Sequence, residues 1–231
     1  MLKTEIKKTI KISPNGPYII SGSISLNEQT IIVDKENNPI KYTFPKKLSV
    51  KKEYALCRCG NSKNKPFCDG SHVITKFKGK ETANLIPYLK QAKTYSGSNL
   101  ILKDVESFCS AARFCHLNTG TWNLTQKSNI TQNRKEAIRE AQSCPSGRLT
   151  IYDKKTNKPI ELKQLPSITI LQDPAQKVSG PLWIKGKIKI ISANNQEYEP
   201  RNNVTLCRCG KSKNKPFCDG AHISAKFNDK K

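Results

Sequence analysis

Cysteine and histidine take up few positions in this chain, and most of them stand close enough together to grip one object. Cys57, Cys59, Cys68 and His72 follow a C-x-C-x8-C-x3-H spacing, and Cys207, Cys209, Cys218 and His222 repeat it. The other ligand types, Cys109, Cys115, His116 and Cys144, lie between the two sets. Such tight, local spacing suits metal ligation rather than a disulfide framework. Two irons bridged by two sulfides need four terminal ligands, two on each iron. Cys57 with Cys59 would serve one iron and Cys68 with His72 the other, and Cys207/Cys209 and Cys218/His222 divide the same way. A Cys3His set is also an ordinary structural zinc site, although zinc ligands more often come as C-x2–4-C with a second pair some distance on. Spacing alone leaves both metals open.

The elements that must position these residues are repeated. Leu56–His72 reads LCRCGNSKNKPFCDGSH and Leu206–His222 reads LCRCGKSKNKPFCDGAH, which differ at two positions. Upstream of each lies an apolar, β-branched run broken by a glycine, GPYIISGSISL from Gly16 and GPLWIKGKIKI from Gly180. Each predicts a strand pair or a bent strand. A further strand is expected before each cysteine cluster, around 42–56 and 198–206. The repeated unit is thus a β-rich cap, a ligand loop and a short helix, at about 11–80 and 168–229. Gly60 and Gly210 allow close backbone approach, and Pro66 and Pro216 stiffen the loop before its third cysteine. Asp69 and Asp219 are expected to cap the short helix that carries His72 or His222. Between the copies, 131–144 reads as a helix, with Ala137, Ile138 and Ala141 at helical spacing, and 149–152 as a strand.

Composition narrows the function classes. A hydrophobic content of 35% in 231 residues is low for one large core and fits small domains that metal helps to hold. The formal charge of +23 comes mainly from lysines spread along the chain; only seven of the 41 basic residues are arginine. Nucleic-acid readers concentrate their cations, so a lysine-rich soluble surface or an acidic protein partner is the better reading. No stretch is apolar enough for a membrane span or a secretory signal, and free thiolates call for reducing surroundings, so the expected location is cytoplasmic.

CRCGNSKNKPFCDGSH resembles the CDGSH-type iron–sulfur domain of the mitoNEET family. The second copy, CDGAH, departs only at Ala221, where that family has a serine that is not a ligand. The resemblance implies a redox-active [2Fe–2S] cluster on Cys57, Cys59, Cys68 and His72, and a second on Cys207, Cys209, Cys218 and His222. Because members of that family pair two such domains, two copies in one chain imply an internal pseudo-dimer and a monomer rather than an obligate homodimer. In the middle, Cys109-x2-Ala112-x2-Cys115 followed by Cys144-Pro145 is similar to single-cluster bacterial ferredoxins, with Ala112 at the place of the second cysteine. Three thiolates imply a [3Fe–4S] cluster in preference to [4Fe–4S]. The divergent ferredoxin-like domain that accompanies CDGSH domains in bacterial proteins is similar too. His116 is a fourth ligand by type only, and its adjacency to Cys115 is awkward. Ordinary buried or reactive cysteines are the alternative here.

The expected fold class is therefore α+β: two small β-rich CDGSH-type units forming an internal pseudo-dimer, with a small ferredoxin-like α+β domain between them, divided as 1–82, 83–160 and 161–231. No P-loop, G-x-G-x-x-G or Ser/His/Asp set is present. The expected function is an electron or cluster carrier without its own substrate site. It would serve a redox or apo-acceptor protein of acidic character, with no nucleic acid and no membrane. A redox or iron sensor and a structural zinc protein are the competing classes.

Overall fold

The computed structural model describes residues 7–229. The N-terminal part holds β1 (Thr9–Ile12), β2 (Tyr18–Ser21), β3 (Ser25–Val33), β4 (Pro39–Tyr42), β5 (Lys46–Leu48), β6 (Tyr54–Leu56) and the single-turn helix α1 (Ser71–Ile74). The middle part holds α2 (Tyr88–Gln91), β7 (Lys93–Ser96), β8 (Leu100–Asp104), α3 (Thr121–Gln126), α4 (Thr131–Gln142) and β9 (Leu149–Asp153). The C-terminal part holds β10 (Ser167–Asp173), β11 (Val178–Lys185), β12 (Lys189–Ile191), β13 (Glu197–Tyr198), β14 (Asn203–Leu206) and α5 (Ala221–Ser224). The fold is α+β, as expected.

Each glycine-broken run forms two successive strands, but these do not pair with each other: β2 and β12 join one sheet, β3 and β11 the other. β2 turns into β3 through Gly22 at φ +95°, and β11 into β12 through Gly186 at φ +75°. A β-carbon at Gly22 would stand 2.7 Å from Lys8 Cα, so only glycine turns the chain there. The strands after the turns keep a partner in their own copy and also pair across to the other. β12 pairs in parallel with β1, and β3 pairs in parallel with β10. One large sheet runs β13-β12-β1-β2-β6, and the other runs β14-β11-β10-β3-β4, with β5 also on β3. Each is built from both ends of the chain, so the two caps are not separate layers.

Alternation in β1 points Ile10 and Ile12 inward, where they meet Tyr18, Ile20, Ile168, Ile170, Leu182 and Leu206 in one core shared by the two copies. Tyr88, Val105 and Phe108 enter this core from the middle part. β11 is buried along nearly its whole length because both of its faces are covered. The middle part makes a second, smaller core. There α3 and α4 pack on the antiparallel sheet β7-β8-β9 through Leu100, Leu102, Leu124, Ala137, Ala141 and Ile151. The helix and strand expected at 131–144 and 149–152 are α4 and β9.

One side chain joins the two ends of the chain directly. The fully buried Tyr18 hydroxyl donates to Cys207 O at 2.8 Å, with Pro216 O at 3.2 Å. Tyr18→Phe leaves these buried carbonyls without that donor and should cost about 1–2 kcal/mol, a fall of roughly 2–8 °C in Tm. An unchanged Tm would show that this bond does not help to join the two copies.

Candidate metal centres

The two ligand loops are built by the same local bonds. Leaving β6, Cys57 N donates to Pro66 O at 2.8 Å, and Cys68 N returns to Ala55 O at 3.0 Å. Ser62 Oγ donates to Phe67 O, and Asp69 accepts from Lys63 N at 2.7 Å and Ser71 N at 3.0 Å. The second loop repeats each: Cys207 N to Pro216 O, Cys218 N to Thr205 O, Ser212 Oγ to Phe217 O, and Asp219 to Lys213 N and Ala221 N. The aspartates were expected at the N-cap. They stand one residue earlier, because Gly70 and Gly220 take the cap position at φ +86° and +85°. Each aspartate still satisfies the first N–H of its helical turn. The Ser71 bonds hold the Asp69 carboxyl well below the usual carboxylate range.

These loops bring the four expected ligands of each copy together as two close pairs. Cys57 Sγ lies 3.6 Å from Cys59 Sγ, and Cys68 Sγ lies 3.4 Å from His72 Nδ1. In the second copy the separations are 3.7 Å for Cys207/Cys209 and 3.4 Å for Cys218/His222. Two thiolates about 2.3 Å from one tetrahedral metal stand roughly 3.8 Å apart, so each Cys–Cys pair fits one metal. No group of three or more ligand side chains among the described residues converges as a single-ion site. Hydrogen bonding from the Cys59 thiol lowers Cys57 to about 6, and Cys209 does the same for Cys207; Cys59 and Cys209 are pushed up in return. Within each pair the shared hydrogen bond thus favours the thiolate form of Cys57 or Cys207 over that of its neighbour.

Three kinds of supporting residue escaped the sequence reading. Arg58, buried between Cys57 and Cys59, donates to Gly16 O, Gly79 O and Ser13 O at 2.8–2.9 Å. Arg208 donates to Gly180 O at 2.7 Å and is neutralised by Asp229. The repeated C-R-C was the available signal. Tyr18 is the second kind, and Arg201 the third. Arg201 donates to Ser146 O at 3.0 Å and lies over the Phe108 ring, holding the turn after Cys144. Gly60 and Gly210 meet across the two copies, where a β-carbon on Gly60 would stand 2.5 Å from Cys209 O and one on Gly210 2.3 Å from Cys59 O.

Cys109, Cys115 and Cys144 also converge. They line one small cavity of about 20 Å³ with Ala112, Ser146 and Arg148. The loop that folds Cys109 toward Cys115 takes positive φ at Ala111 and Arg113, and Cys144 arrives at the end of α4. Cys144 Sγ is 3.4 Å from Ser146 Oγ. Burial pushes the Cys115 thiol up to about 12. Arg148 is bidentate on Asp104 at 2.7 and 3.0 Å and also acts on Cys109, which puts a cation beside the cavity. His116 is outside it: exposed, with its ring 5.7 Å from that of Trp122.

The two Cys3His loops differ in their surroundings. His222 is 4% exposed and Cys218 2%, whereas His72 and Cys68 are half-buried. The cause is the Cys109–Arg113 loop. A β-carbon on Gly220 would meet Ala111 Cβ at 3.2 Å and Cys109 O at 3.9 Å, while one on Gly70 meets none of the described residues within 4 Å. Asn214 Nδ2 donates to Ser107 O at 2.8 Å, and Arg113 pairs with the buried Asp173 at 2.5 Å. Burial lowers His222 to about 4.

Comparison with known families decides the kind of site. The iron-binding zinc finger of CDGSH type matches residues 15–73 and again 179–223. The divergent 4Fe-4S mono-cluster family matches residues 95–154. Two CDGSH-type domains flank a divergent mono-cluster domain. The CDGSH-type and mono-cluster domains set the chain within iron–sulfur, electron-transfer chemistry. The chain is similar to the mouse (Mus musculus) protein "CDGSH iron-sulfur domain-containing protein 3, mitochondrial", 53% identical over 38 residues, which are 13% of this chain and 28% of that protein. The match thus spans well under half of that relative. No solved structure matches the chain. The cytoplasmic location expected from the sequence is overturned by this relative, which is mitochondrial. Nine free thiols ask for reducing surroundings, and that requirement does not select one compartment. No helix among the described residues is long and apolar enough to cross a membrane.

The unequal cover of the two CDGSH-type domains has a mutational consequence. Gly70→Ala and Gly220→Ala impose the same left-handed strain, about 1–2 kcal/mol. Only Gly220→Ala also presses on Ala111, so it should lower Tm further than Gly70→Ala. Equal losses would contradict the contact between the middle loop and the second domain.

Proposed function

We propose that the chain carries a [2Fe–2S] cluster on Cys57, Cys59, Cys68 and His72, a second on Cys207, Cys209, Cys218 and His222, and a third cluster on Cys109, Cys115 and Cys144. It acts as a carrier of electrons or of clusters, without a substrate site of its own. The observation that carries this reading is the division of each Cys3His set into one Cys–Cys and one Cys–His pair. Two pairs suit two metals, whereas a lone zinc ion would draw all four side chains to one point. When bound, such clusters supply reversible one-electron redox chemistry.

The chain's own residues do the rest. Arg58 and Arg208 fix the backbone around the paired cysteines, and backbone N–H groups, Asn61 N on Cys59 Sγ at 3.4 Å and Gly220 N on Cys218 Sγ at 3.5 Å, favour the thiolate forms. His72 and His222 turn Nδ1 toward their cysteines. The two outer domains form an internal pseudo-dimer, a reading supported by the reciprocal pairing of β1 with β12 and of β10 with β3. The domains are taken as 1–82, 83–160 and 161–231. The proposed partner is a redox or acceptor protein of acidic character, in keeping with the charge of +23.

In the middle domain three thiolates and Ala112 support [3Fe–4S]. The family match and Ser146 Oγ at the cavity favour a second form, [4Fe–4S], completed by a non-cysteine ligand.

Histidine ligation is tested by potentiometry. A thiolate donates more charge than an imidazole, so His72→Cys should lower the potential of one [2Fe–2S] centre by on the order of 100 mV, with the other unmoved. His222→Cys should do the reverse. Potentials that stay unchanged in both variants would remove the histidines from the ligand sets.

A further inference from the structure

The nearly identical ligand loops present one face that the chain covers and one that it leaves open. On the second domain, Ser107, Cys109 and Ala111 of the mono-cluster domain lie against Asn214 and Gly220. On the first domain no described residue occupies the same face at Gly70, and Asn64, the counterpart of Asn214, is exposed. The open face is also more apolar. Val73 is 71% exposed and Ile74 84%, whereas their counterparts are the half-buried Ile223 and the polar Ser224. Val73 and Ile74 thus leave two adjacent large apolar side chains in water beside His72, surface that burial against a partner would remove from solvent. Exposed Lys63, Lys76 and Lys78 flank it in sequence.

We propose that the open face around Gly70, Val73 and Ile74 docks a small acidic ferredoxin-type iron–sulfur protein, which lays its cysteine loop there as the internal mono-cluster loop lies on Gly220. The internal contact supplies the template. From Leu56 to His72 the receiving loops differ only at Asn61/Lys211 and Ser71/Ala221, so the glycine and asparagine that meet the internal loop recur at Gly70 and Asn64, while the copies diverge just beyond, at Val73/Ile223 and Ile74/Ser224. The occupant of the covered copy is a loop of small residues and backbone carbonyls that begins at a cysteine, with Ala111 against glycine and Ser107 O accepting from Asn214. The lysines add the preference for an acidic rim, which speeds encounter and makes it sensitive to salt. The inserted domain already occupies the second face, so each chain takes one such partner. This docking rests on the iron–sulfur reading of the sites.

The test uses the full chain, purified anaerobically and first assayed for iron, acid-labile sulfide and visible absorbance. An oxidised, acidic, single-cluster [4Fe–4S] ferredoxin is then titrated in, and hydrogen exchange is followed at 69–76 and at 219–226. The expected result is saturable binding of one ferredoxin per chain, with protection at 69–76 only. Affinity should fall tenfold or more in the double variant Val73→Glu/Ile74→Glu, with iron and sulfide content unchanged, and also at raised salt. Protection at 219–226, unchanged affinity in the double variant, or no binding by cluster-loaded chain would overturn the docking proposal. So would a concentration-dependent dimer of the chain that the double variant abolishes, since the face would then belong to a second copy. A chain that purifies without iron and sulfide would instead sink the reading of the sites themselves.

Discussion

Gly60 and Gly210 meet where the two ligand loops turn, each against the backbone of the cysteine before the other. The rest of the architecture follows from holding these loops back to back. A side chain at either position would drive a β-carbon into a carbonyl of the facing turn, and main chain cannot yield as a flexible side chain does. The exchanged strands maintain the approach. β1 and β10 each pair with the strand that follows the glycine turn of the other copy, so neither sheet is complete without both ends of the chain. Tyr18 then ties one cap to the opposite Cys207, inside an apolar core where its hydrogen bond has no competition from water.

The inserted domain breaks the equivalence that this arrangement would otherwise give. It sends Tyr88, Val105 and Phe108 into the shared core, and Arg201 reaches back to hold the turn after Cys144. Its cysteine loop is anchored by Arg113 on the buried Asp173, and that loop dries His222 while His72 keeps a half-exposed surface. Two loops of almost the same sequence therefore sit in different dielectric surroundings, one sheltered and one open. A repeat of sequence here is not a repeat of environment.

The Cys–Cys and Cys–His pairs were legible in the sequence because their members stand at short, fixed spacing, and the repeat gives that spacing twice. The glycine breaks, α4 and β9 were legible for the same reason: local turn chemistry and periodicity specify them. The pairing of β3 and β12 was not, since both read as ordinary strands and only long-range contacts choose their neighbour. Arg58 and Arg208 look like surface charge in a lysine-rich chain, and their burial depends on carbonyls contributed by distant segments. His116, adjacent to Cys115, has a ligand's residue type, but the turn at Phe114–His116 sends it to solvent against Trp122. The cytoplasmic inference failed because thiol chemistry constrains redox conditions and not an address.

The central claim is that paired side chains at both ends of the chain each hold two metals rather than one. Iron, zinc and acid-labile sulfide per chain, measured on anaerobically purified protein, test it most directly. The account predicts about four iron and four sulfide from the outer domains, rising to about seven iron and eight sulfide with a [3Fe–4S] centre in the middle, or about eight of each with [4Fe–4S]. Zinc at about one ion per Cys3His set, with no sulfide, would contradict it.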